Sequence, residues 1–190
     1  MFKLKKLNFA DFTDERLMLA MQHGECAVFE ELYKRYNERL YYYFYRMISH
    51  EHSTAEDFTQ DLFMKLIQKP HLFDSGRCFA TWIFSIAHNM CKNEYRSRKV
   101  RSITIYDENP DSFCDNNEAY ANTDLDLKRI FTELDKLDAS HKTAFLLKYR
   151  EGFSIEEISE IMELPEGTVK SRLFYARKKL KQQLTQDSTY

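Results

Sequence analysis

The sequence is poor in residues that interrupt helices, because it has only four glycines and three prolines among 190 residues. No alternation of apolar and polar residues persists beyond a few positions, so a β-sheet is not indicated. Apolar residues recur mostly at helical spacing instead. The sequence therefore predicts an all-α protein, with helices over residues 14–23, 25–50, 54–69, 77–98, 125–137, 140–151, 154–162 and 166–184.

The cysteines and the apolar runs argue against two further classes of protein. The cysteines lie at positions 26, 78, 91 and 114, with neither a CxxC pair nor a spacing shared with histidine, which argues against a zinc site or a secreted disulfide framework. No stretch approaches the roughly 20 apolar residues of a membrane span. The N-terminal segment breaks its apolar content with charges too early for a signal peptide. We therefore expect a cytoplasmic protein.

The sequence also lacks a recognisable catalytic constellation. Its six histidines do not stand at metal-ligand spacing, and it has no glycine-rich phosphate-binding loop. We therefore expect a protein that is not an enzyme, with no cofactor, no bound metal and no small-molecule substrate.

The formal net charge of −2 does not by itself suggest a nucleic-acid-binding protein, but the charges are unevenly distributed. Residues 107–127 contain seven acidic residues and no lysine or arginine, while basic runs occupy residues 92–101 and 170–181. The segment 102–124 is rich in Asn, Asp and Ser, which is typical of a linker. We predict two small helical domains, over residues 1–101 and 125–190, joined by this segment as a flexible acidic linker.

The C-terminal segment "FSIEEISEIMELPEGTVKSRLFYARKKL" has the form of a helix-turn-helix. Ser154 and Glu157 have the spacing of a capping box at the start of the first helix, and Pro165 marks its end. Helical spacing assigns the core face of the second helix to Val169, Leu173, Ala176 and Leu180.

The opposite face of that second helix combines aromatic residues with cations. A basic amphipathic helix alone would be an ordinary solvated helix, but a solvated face has little reason to expose Phe174 and Tyr175 together. Aromatic and small polar groups flanked by cations suit the readout of base edges framed by phosphate contacts on duplex DNA. The predicted DNA-binding residues are Lys170, Ser171, Arg172, Phe174, Tyr175, Arg177 and Lys178.

The N-terminal segment "STAEDFTQDLFMKLIQK" predicts a helix with an acidic face. Ser53 and Glu56 have capping-box spacing, and helical spacing assigns Ala55, Leu62 and their neighbours to the core face. Two carboxylates at i, i+4 gain nothing for an isolated helix, so we interpret this face as a docking surface for a basic protein partner. An ordinary solvated face is the alternative. The predicted docking residues are Asp57, Gln60, Asp61 and Met64.

Two further segments stand out in the N-terminal half. "LYYYFYRM" at residues 40–47 is aromatic all round and predicts a buried central helix. "FATWIFSIAHNMCKNEYRSRKVR" predicts a helix with a core face that includes Phe79 and Ile83, and with Phe84 and His88 pointing outward. Bases stack on exposed rings while cations follow phosphates, as single-stranded nucleic acid requires. A core tryptophan with solvated cations is the alternative. The candidate residues are Trp82, Phe84, His88, Lys92, Arg96 and Arg98.

The order of these segments resembles the sigma-70 family of bacterial RNA polymerase initiation factors, specifically its two-domain extracytoplasmic-function group. The resemblance rests on "AEDFTQDLFMKL", "FATWIFSIAHNMCKNEYRSRK" and "EGTVKSRLFYARKKL" in that order and spacing. It covers nearly the whole chain, from "DERLMLAMQHGECAVFEELYKRY" to "ARKKLKQQL". Three features depart from the family's pattern. Glu163 stands at a turn where relatives usually have glycine, and a positive φ there would cost ~1 kcal/mol. The loop "FDSGRC" places its acidic and basic residues differently, and Tyr175 stands where many relatives carry a polar or basic residue.

The resemblance implies an alternative sigma factor that binds core RNA polymerase and directs promoter-specific initiation. It implies that the acidic helix face docks on the clamp helices of the largest subunit. The helix from Phe79 to Arg98 would capture and melt the −10 element, with Asn89 facing the DNA and the loop 73–78 receiving a flipped-out base. The C-terminal helix-turn-helix would contact the −35 element as duplex. A membrane-associated anti-sigma factor is the implied regulator.

A stand-alone helix-turn-helix regulator is the rival interpretation. Such a protein would bind operator DNA through its C-terminal domain without polymerase. The acidic docking face and the aromatic-basic helix of the N-terminal half would then have no evident role.

Overall fold

The computed structural model describes residues 8–48, 50–104 and 125–186 of the chain. These residues form helices and no strands, which confirms the predicted all-α class. The helices are α1 (Asp14–Gln22), α2 (Val28–Ile48), α3 (His52–Gln68), α4 (Phe79–Thr104), α5 (Leu125–Asp135), α6 (Ala139–Tyr149), α7 (Ile155–Met162) and α8 (Glu166–Gln186). Within these ranges, no helix combines the length and apolar character needed to cross a bilayer.

Helix α2 is the centre of the N-terminal half, and α1, α3 and α4 pack around it. Every described side chain from Tyr42 to Ile48 is buried, and Tyr43 and Phe44 rank among the most completely buried large side chains. Burial of aromatic rings is a large favourable term, since each removes roughly 150–250 Å² from water. The predicted buried central helix is therefore confirmed.

Helix α1 holds the start of α4 in place. The backbone N–H of Phe79 donates to the Glu15 carboxylate at 3.0 Å, which satisfies one of the amide groups left open at a helix N-terminus. The Gln22 side-chain amide donates to the carbonyl oxygens of Phe73 at 2.7 Å and Pro70 at 3.0 Å. The segment that leads from α3 into α4 is thus tied to α1 at both of its ends.

The start of α3 differs from the prediction. The helix begins at His52 with Glu51 at the N-cap, so a capping box built on Ser53 is wrong. The Glu51 carboxylate instead accepts hydrogen bonds from the hydroxyls of Ser53 at 3.2 Å and Thr54 at 2.9 Å. The Ser53 hydroxyl is therefore bound to the N-cap residue and not to the amide three positions on, as a capping box would require.

The C-terminal half contains the predicted helix-turn-helix, formed by α7 and α8. The Ser154–Glu157 capping box is confirmed, with its two hydrogen bonds at 3.1 and 2.7 Å. Glu163, at the C-cap of α7, has a left-handed backbone with φ +54°, so the glycine-like turn is present without glycine. The predicted core face of α8 is confirmed, because Val169, Leu173, Ala176 and Leu180 are all buried.

The two halves of the chain are in contact. Helix α7 packs against α4, and α6 packs against α2. The buried apolar residues of both halves form one contiguous cluster rather than two. The arrangement decides which predicted functional side chains are open to solvent.

Candidate nucleic-acid interface

The acidic face of α3 is open to solvent. Asp57, Gln60 and Asp61 are exposed, and half of the Met64 surface remains accessible. Ala55, Leu62 and Leu66 are buried on the opposite side of the same helix. Among the described residues, neither Asp57 nor Asp61 has an ion-pair partner. The structure therefore brings the four predicted docking residues together on one free surface.

The outward face of α8 is equally open. Phe174 is 61% exposed and Tyr175 is 57% exposed, and the two rings meet edge to face with centroids 5.6 Å apart. Lys170, Arg177 and Lys178 are exposed around them, as is Ser171, whereas Arg172 is half-buried. Six of the seven predicted duplex-contacting residues thus form a continuous exposed surface.

Two of those α8 residues are held by local hydrogen bonds. The Lys170 ammonium donates to the Glu166 carboxylate at 2.9 Å, one helical turn before it. The Ser171 hydroxyl donates to the backbone carbonyl of Thr168 at 2.9 Å. Both side chains are exposed, so a surface ion pair of this kind contributes little to stability and can exchange for a phosphate contact.

The candidate residues of α4 differ in their exposure to solvent and in their contacts. Lys92 and Arg96 are exposed on the C-terminal part of the helix, and Asn89 is half-buried. Arg98 is engaged within the domain, since its guanidinium donates to the Glu94 carboxylate and to the Ile48 carbonyl, both at 2.8 Å.

Trp82 lies at the edge of the core, as its helical position predicts. Its ring is half-buried against Phe73 and Phe79, with centroid separations of 5.1 and 5.8 Å. Part of the indole remains accessible beside the loop 73–78. Trp82 is thus a residue of the core edge, and the accessible part of its ring leaves the prediction of base stacking open.

The prediction of an outward-facing Phe84 is wrong. Its ring is completely buried, with Tyr43 on one side at 5.7 Å and Phe153 of the C-terminal half on the other at 5.2 Å. Helix α4 has a second buried stripe, which includes Ala87 and Cys91. That stripe lies beside α7, so the C-terminal half occupies the side of α4 that was expected to face solvent.

His88, one turn after Phe84, is half-buried on the same side of α4. The pKa of its imidazole is lowered to about 4, mainly by burial, with Lys92 and Arg172 also lowering it and Glu163 acting in the opposite direction. The ring is therefore neutral at neutral pH. Two of the contributing groups, Arg172 and Glu163, belong to the C-terminal half, which places His88 at the junction of the two halves.

A set of charged residues that helical periodicity does not reveal lies between the two halves. Arg46 is almost fully buried and contacts Asp135, while Arg39 contacts Glu151. One signal was available: Arg46 is a charged residue in the all-aromatic run "LYYYFYRM", and a buried charge requires a partner. The described residues contain no group of three or more His, Cys, Asp or Glu side chains placed to hold a metal ion.

Two family models match the chain. The model of Sigma-70 region 2 matches residues 32–101, and the model of Sigma-70, region 4 matches residues 127–180. Together the two matches cover more than half of the chain. The first match includes α3 and most of α4, and the second includes the helix-turn-helix formed by α7 and α8.

The similarity to known proteins extends over almost the whole chain. The ECF RNA polymerase sigma-E factor of Haemophilus influenzae is 30% identical over 187 residues, which cover 90% of this chain and 95% of that protein. The ECF RNA polymerase sigma factor SigW of Bacillus subtilis is 29% identical over 175 residues, or 86% of this chain and 92% of SigW.

Solved structures agree with these matches. The sigma factor RpoE of Bartonella quintana, solved in complex with the anti-sigma factor NepR, is 28% identical and superposes with a TM-score of 0.67, covering 83% of this chain and 96% of RpoE. CnrH, solved in complex with the cytosolic domain of CnrY, has a TM-score of 0.69 at 24% identity over 92% and 98% of the two chains, which shows the shared fold. The chain belongs to the sigma-70 family of RNA polymerase sigma factors, in its extracytoplasmic-function group.

Proposed function

We propose that this sigma factor divides its contacts among three helices: α3 binds core RNA polymerase, α4 holds the opened −10 element, and α8 contacts the −35 element as duplex. Membership of the family makes the chain an alternative sigma factor, which directs promoter-specific initiation by polymerase and is not itself the enzyme. A stand-alone operator-binding regulator is not favoured, because the region 2 match accounts for the N-terminal half.

The observation that carries the proposal is the pair of exposed helix faces with opposite charge. The α3 face presents Asp57 and Asp61 beside an exposed Met64. Complementary charge steers a basic partner and fixes its register, while a flexible thioether adapts to the partner's surface. These properties fit a protein partner of basic character, such as the clamp helices of the polymerase's largest subunit.

The α8 face has the composition that duplex recognition requires. Lys170 and Arg177 lie on one flank of the exposed surface and can neutralise phosphates, which positions the helix without specifying sequence. Ser171 and Tyr175 lie at its centre, where hydroxyl groups can exchange hydrogen bonds with base edges in the major groove. Phe174 supplies an apolar contact of the kind that thymine methyl groups accept.

The α4 residues suit the opened strand. Lys92 and Arg96 follow the helix away from the core and can track phosphates, and Trp82 offers a partly accessible ring for stacking. The adjacent loop 73–78 would receive a base that leaves the stack. Phe84 is not part of this surface, because its ring is buried between Tyr43 and Phe153, and His88 and Asn89 are half-buried on the same helix.

The domain limits, the regulator and the location complete the proposal. We assign residues 1–101 to the polymerase- and −10-binding domain, 102–124 to the linker and 125–190 to the −35-binding domain. The complex of RpoE with NepR supports an anti-sigma factor as the regulator of this chain, with a membrane-associated partner as one form of it. A cytoplasmic location follows from a polymerase partner.

The test is run-off transcription with purified core polymerase on templates in which the −35 and −10 elements are randomised. We expect transcripts only when both polymerase and this protein are present, and a two-part consensus among the templates transcribed. Polymerase-independent, tight and sequence-specific retention of duplex DNA by the protein alone would instead favour the stand-alone regulator.

A further inference from the structure

We propose that His141, a residue of α6 outside the predicted DNA-binding set, is a positioning residue for −35 recognition, because it holds the ring of Tyr175 in one orientation and so fixes the base pair that this ring reads. This inference rests on the proposed contact of α8 with duplex DNA and deepens it. It is carried by the contacts of His141 with Tyr175 and with Asp138, the N-cap residue of α6.

The ring of Tyr175 is exposed, yet two other rings contact it. Its centroid lies 5.6 Å from that of Phe174, with the ring planes at 77°, and 6.3 Å from that of His141, with the planes at 87°. Both separations fall within the roughly 4.5–7 Å range of edge-to-face pairs. These two contacts limit the rotations of a side chain that solvent alone would leave free.

Only one of the two neighbouring rings can fix Tyr175 relative to the domain. Phe174 is itself exposed and lies on the same helix, so it offers little restraint. His141 belongs to the first turn of α6, which packs against α8 and is anchored in the core by Ala144 and Leu147. The contact between His141 and Tyr175 therefore ties the exposed ring of one helix to a second, anchored helix.

Asp138 holds His141 at two points. Its carboxylate accepts the backbone N–H of His141 at 3.1 Å, and it also pairs with the imidazole Nδ1 atom. A carboxylate in this role only accepts hydrogen bonds, so Nδ1 carries a proton. The same carboxylate accepts the backbone N–H of Ser140 at 3.0 Å and the Ser140 hydroxyl at 2.6 Å. The imidazole is thus attached to the cap of its own helix.

The Asp138 carboxylate stays available for these bonds. Burial alone would raise the pKa of the Asp138 carboxyl, but hydrogen bonds from Ser140 and His141 lower this pKa to about 2. The group is therefore ionised at neutral pH. Hydrogen bonds to an ionised acceptor are shorter and stronger than those between neutral groups, so the support of the imidazole persists under ordinary conditions.

The charge of Asp138 favours bracing over a contact with the DNA backbone. The Asp138 side chain is 59% exposed beside His141, and a negative charge repels phosphates. The cations suited to phosphates, Lys170 and Arg177, are exposed on α8 instead. His141 therefore acts through Tyr175 rather than on DNA directly.

A braced Tyr175 differs from a free one in what it can discriminate. Readout in the major groove depends on where donors, acceptors and apolar edges are placed relative to the base edges. A ring that rotates freely can reach neighbouring base pairs, whereas a ring held by His141 presents its hydroxyl at one place. Restraint before binding also reduces the cost of ordering the side chain in the complex.

The test uses the full-length chain with core polymerase and a promoter library. The −35 element is randomised, and the −10 element is held at the sequence that the unmodified protein selects. Bound templates are sequenced, which gives the base preference at every −35 position. Tyr175→Ala first identifies the base pair that Tyr175 reads, as the position where preference falls by about tenfold.

His141→Asn is the decisive variant. The asparagine amide can take the place of Nδ1 and still donate to Asp138, but the side chain lacks the ring that meets Tyr175. We expect preference at the Tyr175 base pair to fall about two- to tenfold, with the other positions unchanged. Ser140→Ala is the matched control, because it removes a hydrogen bond to Asp138 and leaves both rings in place. Thermal unfolding confirms that each variant is folded.

The outcomes separate this inference from the proposed function. A loss in His141→Asn at the Tyr175 base pair alone, absent in Ser140→Ala, supports the positioning role. Unchanged preference in His141→Asn, where Tyr175→Ala loses it, overturns the inference and leaves the contact of α8 with duplex intact. An equal loss at all positions, or the same loss in Ser140→Ala, assigns His141 to the fold and also overturns it. Unchanged preference in Tyr175→Ala refutes the proposed role of Tyr175 itself.

Discussion

Helices α4 and α8 carry similar stripes of aromatic and basic residues, and they differ in what lies over them. On α8 the rings of Phe174 and Tyr175 project into solvent with cations around them. On α4 the ring of Phe84 is enclosed by Tyr43 and Phe153, and only the basic part of the helix, with Lys92 and Arg96, is open. One stripe is free in the isolated chain and the other is covered.

The difference bears on what each helix is proposed to bind. Recognition of duplex in the major groove depends on the pattern of donors and acceptors, and the exposed α8 face can present such a pattern as it stands. Stacking of single-stranded bases requires an accessible aromatic ring. Phe84 does not provide one while it is enclosed by Tyr43 and Phe153, so on α4 the partly accessible Trp82 is the ring that remains for this role.

The largest expected effect compares a ring from each helix. Phe84→Ala should lower the free energy of unfolding by about 3–5 kcal/mol, because it removes a fully buried ring and leaves a cavity. Phe174→Ala should change it by no more than about 0.5 kcal/mol, as expected for an exposed position. Urea unfolding followed by circular dichroism measures both. Similar losses in the two variants would remove the contrast between a covered and an open stripe.

The next effect concerns the open acidic face of α3. Asp61→Arg should weaken binding to core polymerase by at least ~2 kcal/mol, since a like charge placed against a basic partner is repelled, and the fold should remain intact because Asp61 is exposed. Co-purification with core enzyme and thermal unfolding are the measurements. Glu56→Arg, the same change on the flank of the same helix, is the control. Undiminished co-purification of Asp61→Arg would refute the assignment of this face.

Acid should weaken the packing of the C-terminal half against α4. With the two halves packed together the pKa of His88 is lowered to about 4, against an ordinary value of about 6.5, so the contribution of His88 to this packing is fully present above about pH 6.5 and is lost as the pH falls towards 4. At about pH 5 the loss should reach ~2 kcal/mol. Asp135, whose pKa lies below its ordinary value, stays ionised there.

The measurement for this pH effect is the alkylation rate of Cys91, corrected for the intrinsic pH dependence of thiol reactivity with the exposed Cys26 as internal reference. His88→Asn removes the titrating group and should flatten the profile. A profile that keeps its slope in His88→Asn would assign the pH dependence to another group.

The smallest effect lies in the turn that joins α7, which packs against α4, to α8. Glu163 adopts φ +54°, a conformation that costs a residue with a Cβ atom ~1 kcal/mol. Glu163→Gly should therefore raise the free energy of unfolding by up to ~1 kcal/mol, partly offset by the greater freedom of glycine in the unfolded chain. Glu160→Gly, inside α7, should lower it by about 0.5–1 kcal/mol. Destabilisation by both substitutions would contradict a strained turn.

The sequence was sufficient to predict the buried face of a helix that has one apolar stripe. The core face of α8, from Val169 to Leu180, and that of α3, with Leu62 and Leu66, were both predicted in the correct phase and are buried. A single stripe leaves only one way to orient the helix, so periodicity also identifies the exposed face.

Helical periodicity was insufficient to predict the exposed face of α4, because this helix has two apolar stripes. Phe79 and Ile83 face α2 and the rest of the N-terminal core, while Phe84 and Cys91 lie towards the C-terminal half. Helical spacing gives the angle between the stripes but not the identity of what covers each. An apolar stripe that binds nucleic acid and one that packs against a second domain have the same spacing in the sequence.

The polar contacts between the halves could not be predicted either. Arg39 and Glu151 are 112 positions apart, and nothing local to either residue indicates the other. Glu163 is the opposite case, because the resemblance marked this turn as one where glycine is usual, and the structure gives Glu163 the positive φ, +54°, that glycine adopts readily. Local backbone geometry is determined largely by neighbouring residues, whereas a charge pair across a domain interface depends on the complete fold.

The bracing of the loop before α4 has a consequence for the energetics of the base capture proposed for it. Gln22 holds the Phe73 and Pro70 carbonyls, Glu15 holds the Phe79 amide, and inside the loop the Asp74 carboxylate accepts the Gly76 amide at 2.9 Å. A mobile loop would lose roughly 1–2 kcal/mol of backbone entropy for each residue that DNA fixes. A loop already fixed by protein contacts loses little, so it is preorganised, and more of the free energy of contact with a captured base remains available to hold the strands apart.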